Sequence, residues 1–139
     1  MTNGSGRPVR VVDSWAIVAW VQKEAAAPKF RQLMFDAEGD RSWLLMSWYN
    51  AAEAFYSIAK RSNLKLAEEF MTRLPSLPIR MVLPDEDAVM AAARIKASRS
   101  VAFGDAFAIG LALANNASVI TGDNEIRKCG LVPVDWIGD

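Results

Sequence analysis

Apolar residues fall along this chain in two rhythms. Short runs rich in β-branched side chains predict buried strands, and longer stretches with the 3.6-residue period predict helices. Val9-Arg10-Val11-Val12 is the first short run, and it ends in an acid, Asp13. Ser14 follows, and residues 15–21 predict a helix. Pro28 can open a second helix over residues 29–37, which Gly39 stops. Residues 43–47 predict a second strand and residues 48–60 a helix. Residues 64–74 predict another helix, closing before Pro75 and Pro78. Residues 79–83 predict a third strand, and Pro84 and Asp85 introduce a helix over residues 86–99. Residues 103–114 are apolar on nearly every side, the mark of a helix inside a core. Residues 117–121 predict a fourth strand, Gly122-Asp123-Asn124 a turn, and a short helix runs on through Lys128. Residues 132–137 predict a last strand, placed at an edge because Pro133 cannot donate to a ladder. Strands alternating with helices imply a parallel sheet covered by helices on both faces.

Four acids sit at informative places in this pattern. Asp13 ends the first strand. It is either the N-cap of the helix that follows, a role Ser14 could also take, or a site residue outside a strand's carboxyl end. In residues 48–60, Trp48, Ala51, Ala52, Phe55, Ile58 and Ala59 share one face at 100° per residue. Glu53 lies almost opposite, with Tyr49, Asn50, Ser57 and Lys60 nearby. That polar face is either solvated or the lining of a cleft. Asp105 is the one charge in the apolar helix. It either complements the helix dipole or is held by a partner, since an unpaired buried charge costs several kcal/mol. Asp123 follows the fourth strand and is either a cap or a site residue. In a parallel sheet Asp13 and Asp123 emerge on the same edge. Asp105 joins them only if its helix start is drawn into the same crevice.

Composition narrows the chemistry. A chain of 139 residues with 52% apolar content fits one domain. We expect residues 1–8 to be a flexible leader and residues 9–139 a single domain. Sixteen basic residues balance sixteen acidic ones, so any polyanion site must be local. There is no histidine. That excludes Ser-His-Asp and Cys-His catalysis and paired-histidine nucleases. Cys129, the single cysteine, can form neither an intrachain disulfide nor a zinc cluster. Titrating groups are therefore mainly carboxylates, whose natural partners are hard cations such as Mg²⁺ or Mn²⁺. No stretch reaches the roughly 18 apolar residues that span a bilayer, and the start lacks a secretory h-region. A cytoplasmic protein without a membrane partner is the expectation.

Four segments in order carry a family resemblance. They are Val11-Val12-Asp13-Ser14, Asn50-Ala51-Ala52-Glu53-Ala54-Phe55-Tyr56, Phe103-Gly104-Asp105-Ala106-Phe107-Ala108 with Leu111-Ala112, and Val119-Ile120-Thr121-Gly122-Asp123. From Val9 onward the chain resembles a PIN-domain ribonuclease, specifically the toxin of a VapBC-type toxin–antitoxin pair. The resemblance implies an α/β fold, a three-layer α/β/α sandwich on a parallel sheet of about five strands. It implies a metal site of Asp13, Glu53, Asp105 and Asp123 holding Mg²⁺ or Mn²⁺, with Ser14 or Thr121 as hydroxyl helpers. It implies hydrolysis of RNA that leaves a 5′-phosphate and a 3′-hydroxyl. It further implies a homodimer and a small antitoxin whose tail fills the cleft.

The remaining residues fit this scheme in part. Lys60 with Arg61, Lys96 with Arg99, and Arg127 with Lys128 each either border the cleft and hold phosphates or complement helix C-termini. Trp15, Trp20 and Trp48 are expected in cores or interfaces rather than as base-stacking platforms. A receiver-like signalling module also gathers acids around Mg²⁺. It needs an acceptor Asp after the third strand and a Lys after the fifth, whereas here Pro84-Asp85 and Trp136-Ile137 stand there. A PIN-like module that binds without cleaving is the other alternative.

Overall fold

In the computed structural model, residues 9–139 are described. The expected leader, residues 1–8, lies outside the described residues. Five strands form one sheet: β1 (Arg10–Val12), β2 (Leu44–Ser47), β3 (Ile79–Val82), β4 (Ser118–Thr121) and β5 (Val134–Trp136). Their order is β3-β2-β1-β4-β5, and every pairing is parallel. Val11 pairs with Leu45 on one side and Val119 on the other. From β1 the chain builds outward through β2 to β3, then returns to lay β4 on the other flank of β1. The gap between β1 and β4 is therefore the switch point, the place where an open α/β sheet leaves a crevice at its carboxyl edge.

Side-chain alternation along β1 and β4 splits the interior into two cores. Val12 and Ile120 face helices α1 (Ser14–Val21), α2 (Ala27–Gly39), α3 (Trp48–Arg61) and α4 (Leu64–Arg73). Val11 and Val119 face α5 (Glu86–Ser98), α6 (Phe103–Ala114) and α7 (Asn124–Cys129). The result is the expected three-layer α/β/α sandwich. Both strands are buried on both faces, which explains why they read as continuous apolar runs. Pro28 sits in the first turn of α2, and Pro75 falls in a short 3₁₀ turn, Leu74–Ser76, that ends α4. The last strand is an edge strand, and Pro133 precedes it. Among the described residues no single helix is long and apolar enough to cross a membrane.

The core-facing side of α3 is shifted from the one the apolar period predicts, although Ala51 and Ile58 are buried and Phe55 and Ala59 pack against the core as expected. The buried side of α3 is Asn50, Ala51, Ala54 and Ile58. Trp48 is 39% exposed and Ala52 is exposed, so neither is a core position. Asn50, expected beside Glu53 on the polar face, is fully buried. The reason is a polar partner inside the fold: its Nδ2 donates to the Gly104 carbonyl at 2.9 Å. This bond ties the start of α3 to the start of α6. On the same helix Glu53, half-buried, faces the carboxyl edge of the sheet.

Candidate metal centre

Asp13 takes its place directly from β1. It is the N-cap residue of α1 by backbone position, yet its side chain makes no capping bond. Instead Oδ2 accepts from the Thr121 hydroxyl at 2.8 Å. Thr121 ends β4, and its Oγ1 in turn accepts from the Asp123 backbone N–H at 3.0 Å. One hydroxyl thus locks the ends of the two central strands together. The other oxygen of Asp13, Oδ1, is buried without any hydrogen-bond partner. A buried, unpartnered carboxylate oxygen is costly and calls for a counter-charge.

Asp105 arrives from the opposite direction. It is the third residue of α6, and its Oδ2 accepts from the Ala102 backbone N–H at 3.2 Å. The helix start is drawn into the crevice, which the sequence left open. Asp123 caps α7, accepting from the Glu125 N–H at 2.8 Å. Asp13, Asp105 and Asp123 each offer a carboxylate oxygen within 4.8 Å of the others. Glu53 stands outside that group of three but lines the same cleft. Its Oε1 accepts from the Ser14 hydroxyl at 2.5 Å. Gly104 makes room for it, since a Cβ at that position would overlap the Glu53 carboxylate. Trp15 forms part of the cleft wall, its ring lying where a Cβ on Gly122 would fall.

Electrostatics mark the cluster as incomplete by itself. Burial, with the nearby charges of Glu53 and Asp123, pushes the Asp13 carboxyl up to about 7 despite the Thr121 bond. Burial, then Asp123 and Asp13, push Asp105 up to about 8. Near neutral pH these acids therefore share protons unless a cation replaces them. The donor set suits such a cation. It is all carboxylate oxygen, it converges, and it includes an orphaned acceptor. That is the chemistry of a hard divalent cation rather than of a soft metal.

The cleft holds about 270 Å³ of space accessible to water. Among the described residues its lining includes Asp13, Glu24, Glu53, Asp105, Asp123 and Glu125 as acids and Arg61 as the one cation. Of the six basic residues raised from the sequence, the others are engaged elsewhere or lie outside the lining. Lys96 donates to the Val101 carbonyl, Arg99 to that of Cys129, and Arg127 lies over the Trp136 ring. Two residues that shape the site, Asn50 and Gly104, carry no chemical signal of their own in the sequence, beyond standing near Glu53 and Asp105 in the segments that bear the family resemblance.

The sequence profile of the PIN domain matches residues 10–130. The chain belongs to the PIN-domain family. No curated protein matches the sequence significantly. Among solved structures the PIN fold here is similar to VapC20 of Mycobacterium tuberculosis, described as a sarcin–ricin-loop-cleaving toxin. That match has a TM-score of 0.72 at 14% identity over 87% of this chain and 95% of that one. A chain of VapBC2 from Rickettsia felis, bound to a promoter DNA fragment, gives 0.69 at 11% identity over 91% and 97%. DNA-bound VapBC from Salmonella typhimurium gives 0.69 at 14% identity over 94% and 99%. At these identities the likeness is one of fold.

Proposed function

We propose that this PIN domain is a Mg²⁺- or Mn²⁺-dependent endoribonuclease, acting as the toxin of a toxin–antitoxin pair. The observation that carries the reading is the convergence of Asp13, Asp105 and Asp123 at the switch point, with an unpartnered Asp13 oxygen among them. Asp13, Asp105 and Asp123 hold the cation, and Glu53 completes the acidic rim. A divalent cation bound there supplies Lewis acidity and nucleophilic water near neutral pH. The chain's own part is positioning. Thr121 fixes Asp13, the Ala102 N–H fixes Asp105, and Ser14 fixes Glu53. No side-chain nucleophile is required, in keeping with a histidine-free chain. Scission leaves a 5′-phosphate and a 3′-hydroxyl.

The same acids suit a partner that blocks them. A basic side chain from a small antitoxin would pair with the cluster and displace the cation, and the resemblance to chains from VapBC complexes supports such a partner. A homodimer in the cytoplasm completes the reading. The test is incubation of the purified protein with structured and unstructured RNAs, with Mn²⁺ or with EDTA, followed by end-group analysis. Mn²⁺-dependent cleavage with 5′-phosphate ends is expected. Cleavage unaffected by EDTA, or 2′,3′-cyclic ends, would overturn the assignment.

A further inference from the structure

A cleft lined by six acids and one cation poses a problem for a polyanionic substrate. The central cation offsets charge at one phosphate only. Among the described lining residues, Arg61 alone can attract the neighbouring phosphates of the same strand. Its place is not incidental. Glu53, Ser57 and Arg61 are spaced four residues apart along α3, and all three line the cleft. Such spacing keeps a helix face nearly in line. Arg61 therefore sits two turns from Glu53, about 12 Å along the helix axis. That offset is on the scale of the spacing between neighbouring phosphates of an extended strand, and it sets Arg61 apart from the three acids that converge, Asp13, Asp105 and Asp123.

The current partner of Arg61 is weak. Nη2 lies 3.4 Å from Glu24 Oε2, and the two side chains are 54% and 41% exposed. An exposed pair of this kind contributes little and exchanges readily. Glu24 itself lines the cleft, on the loop after α1, so both members of the pair border it. A guanidinium presents a planar fork that matches phosphate oxygens.

We propose that Arg61 is a phosphate-binding residue of a second subsite. It leaves Glu24 to grip a backbone phosphate of single-stranded RNA, away from the scissile bond, and α3 forms the track between the two points. This inference rests on the ribonuclease reading above. Arg61 acts on binding and register, so its loss raises KM more than it lowers kcat.

The test uses oligoribonucleotides in which one phosphate at a time is a neutral methylphosphonate, with binding followed by fluorescence anisotropy. Both arms carry Asp105→Asn to prevent cleavage. With Arg61 present, neutralising one phosphate away from the scissile position weakens binding about tenfold, the scale of a lost charge-assisted contact. In the Arg61→Ala form that phosphate becomes indifferent, and the salt dependence of log K falls by about 0.7, one single-strand contact. Arg61→Lys restores part of the affinity. An Arg61→Ala protein that keeps the same methylphosphonate sensitivity and salt slope would overturn the subsite while leaving the nuclease reading intact. An otherwise wild-type protein that neither binds nor cleaves RNA would instead overturn that reading itself.

Discussion

Two acids in this fold begin with the same local grammar and end with opposite roles. Asp13 follows β1 and precedes α1, and Asp85 follows β3 and precedes α5. Both stand at the N-cap with extended backbone. Asp85 does what the local sequence suggests. It is exposed, and Oδ1 accepts from the Ala88 N–H at 2.9 Å. Asp13 makes no such bond and is buried to 1% exposure. The difference lies in the sheet. β3 is an edge strand, whereas β1 is central with β4 beside it. Only beside β4 does a strand-end acid meet Thr121, Asp123 and the start of α6. A cap and a ligand site are the same sequence pattern placed at different positions in the strand order.

That contrast can be broken most sharply by substitution. Asp13→Asn or Asp105→Asn should lower Mn²⁺-dependent RNA cleavage by about a thousandfold, the scale of losing one preorganised electrostatic partner. Asp85→Asn should leave the rate within about twofold, as expected for an exposed cap far from the chemistry. Single-turnover cleavage of one RNA by the three variants checks this, with circular dichroism to verify folding.

The next effect is on stability. The folded carboxyls of Asp13 and Asp105 lie at about 7 and about 8, above their ordinary value of 3.8. Between those values the folded protein holds protons that the unfolded chain has released. Stability from these groups therefore falls as pH rises from about 4 to about 8. In EDTA the wild type should melt at least about 5 °C higher at pH 5 than at pH 8, and Asp13→Asn should shrink that gap. Mn²⁺ should close most of it at pH 8, because the cation replaces the missing protons. Asp85→Asn should leave the gap as it is.

Smaller effects follow from the supports. Thr121→Val removes the hydroxyl that holds Asp13 and should weaken Mn²⁺ binding about ten- to a hundredfold while preserving the fold. Asp85→Ala removes an exposed cap and should cost about 1 kcal/mol in chemical denaturation without touching metal affinity.

Much of this was legible in the chain itself. The alternation of β-branched runs and helical stretches fixes a parallel α/β sandwich, and Pro133 correctly marks the edge. Asp13 and Asp123 could be assigned to one edge of the sheet because parallel strands share their carboxyl ends. Two things were not legible. The burial of Asn50 on the inner face of α3 goes with a bond to the Gly104 carbonyl, a contact 54 residues apart in sequence. Periodicity treats Asn as a surface residue, so it places Ala51, Phe55, Ile58 and Ala59 toward the core but leaves Asn50 outside it. The second is the convergence of Asp105, which depends on where α6 begins relative to the switch point. Local sequence carries the helix and its acid but not the translation that brings them to β1 and β4.

The most direct measurement of the central claim is a calorimetric Mn²⁺ titration of the wild type, Asp13→Asn, Asp105→Asn and Asp85→Asn proteins. The account predicts binding by the wild type and Asp85→Asn alike, and at least about tenfold weaker binding by the other two. Equal affinity across all four proteins would contradict it.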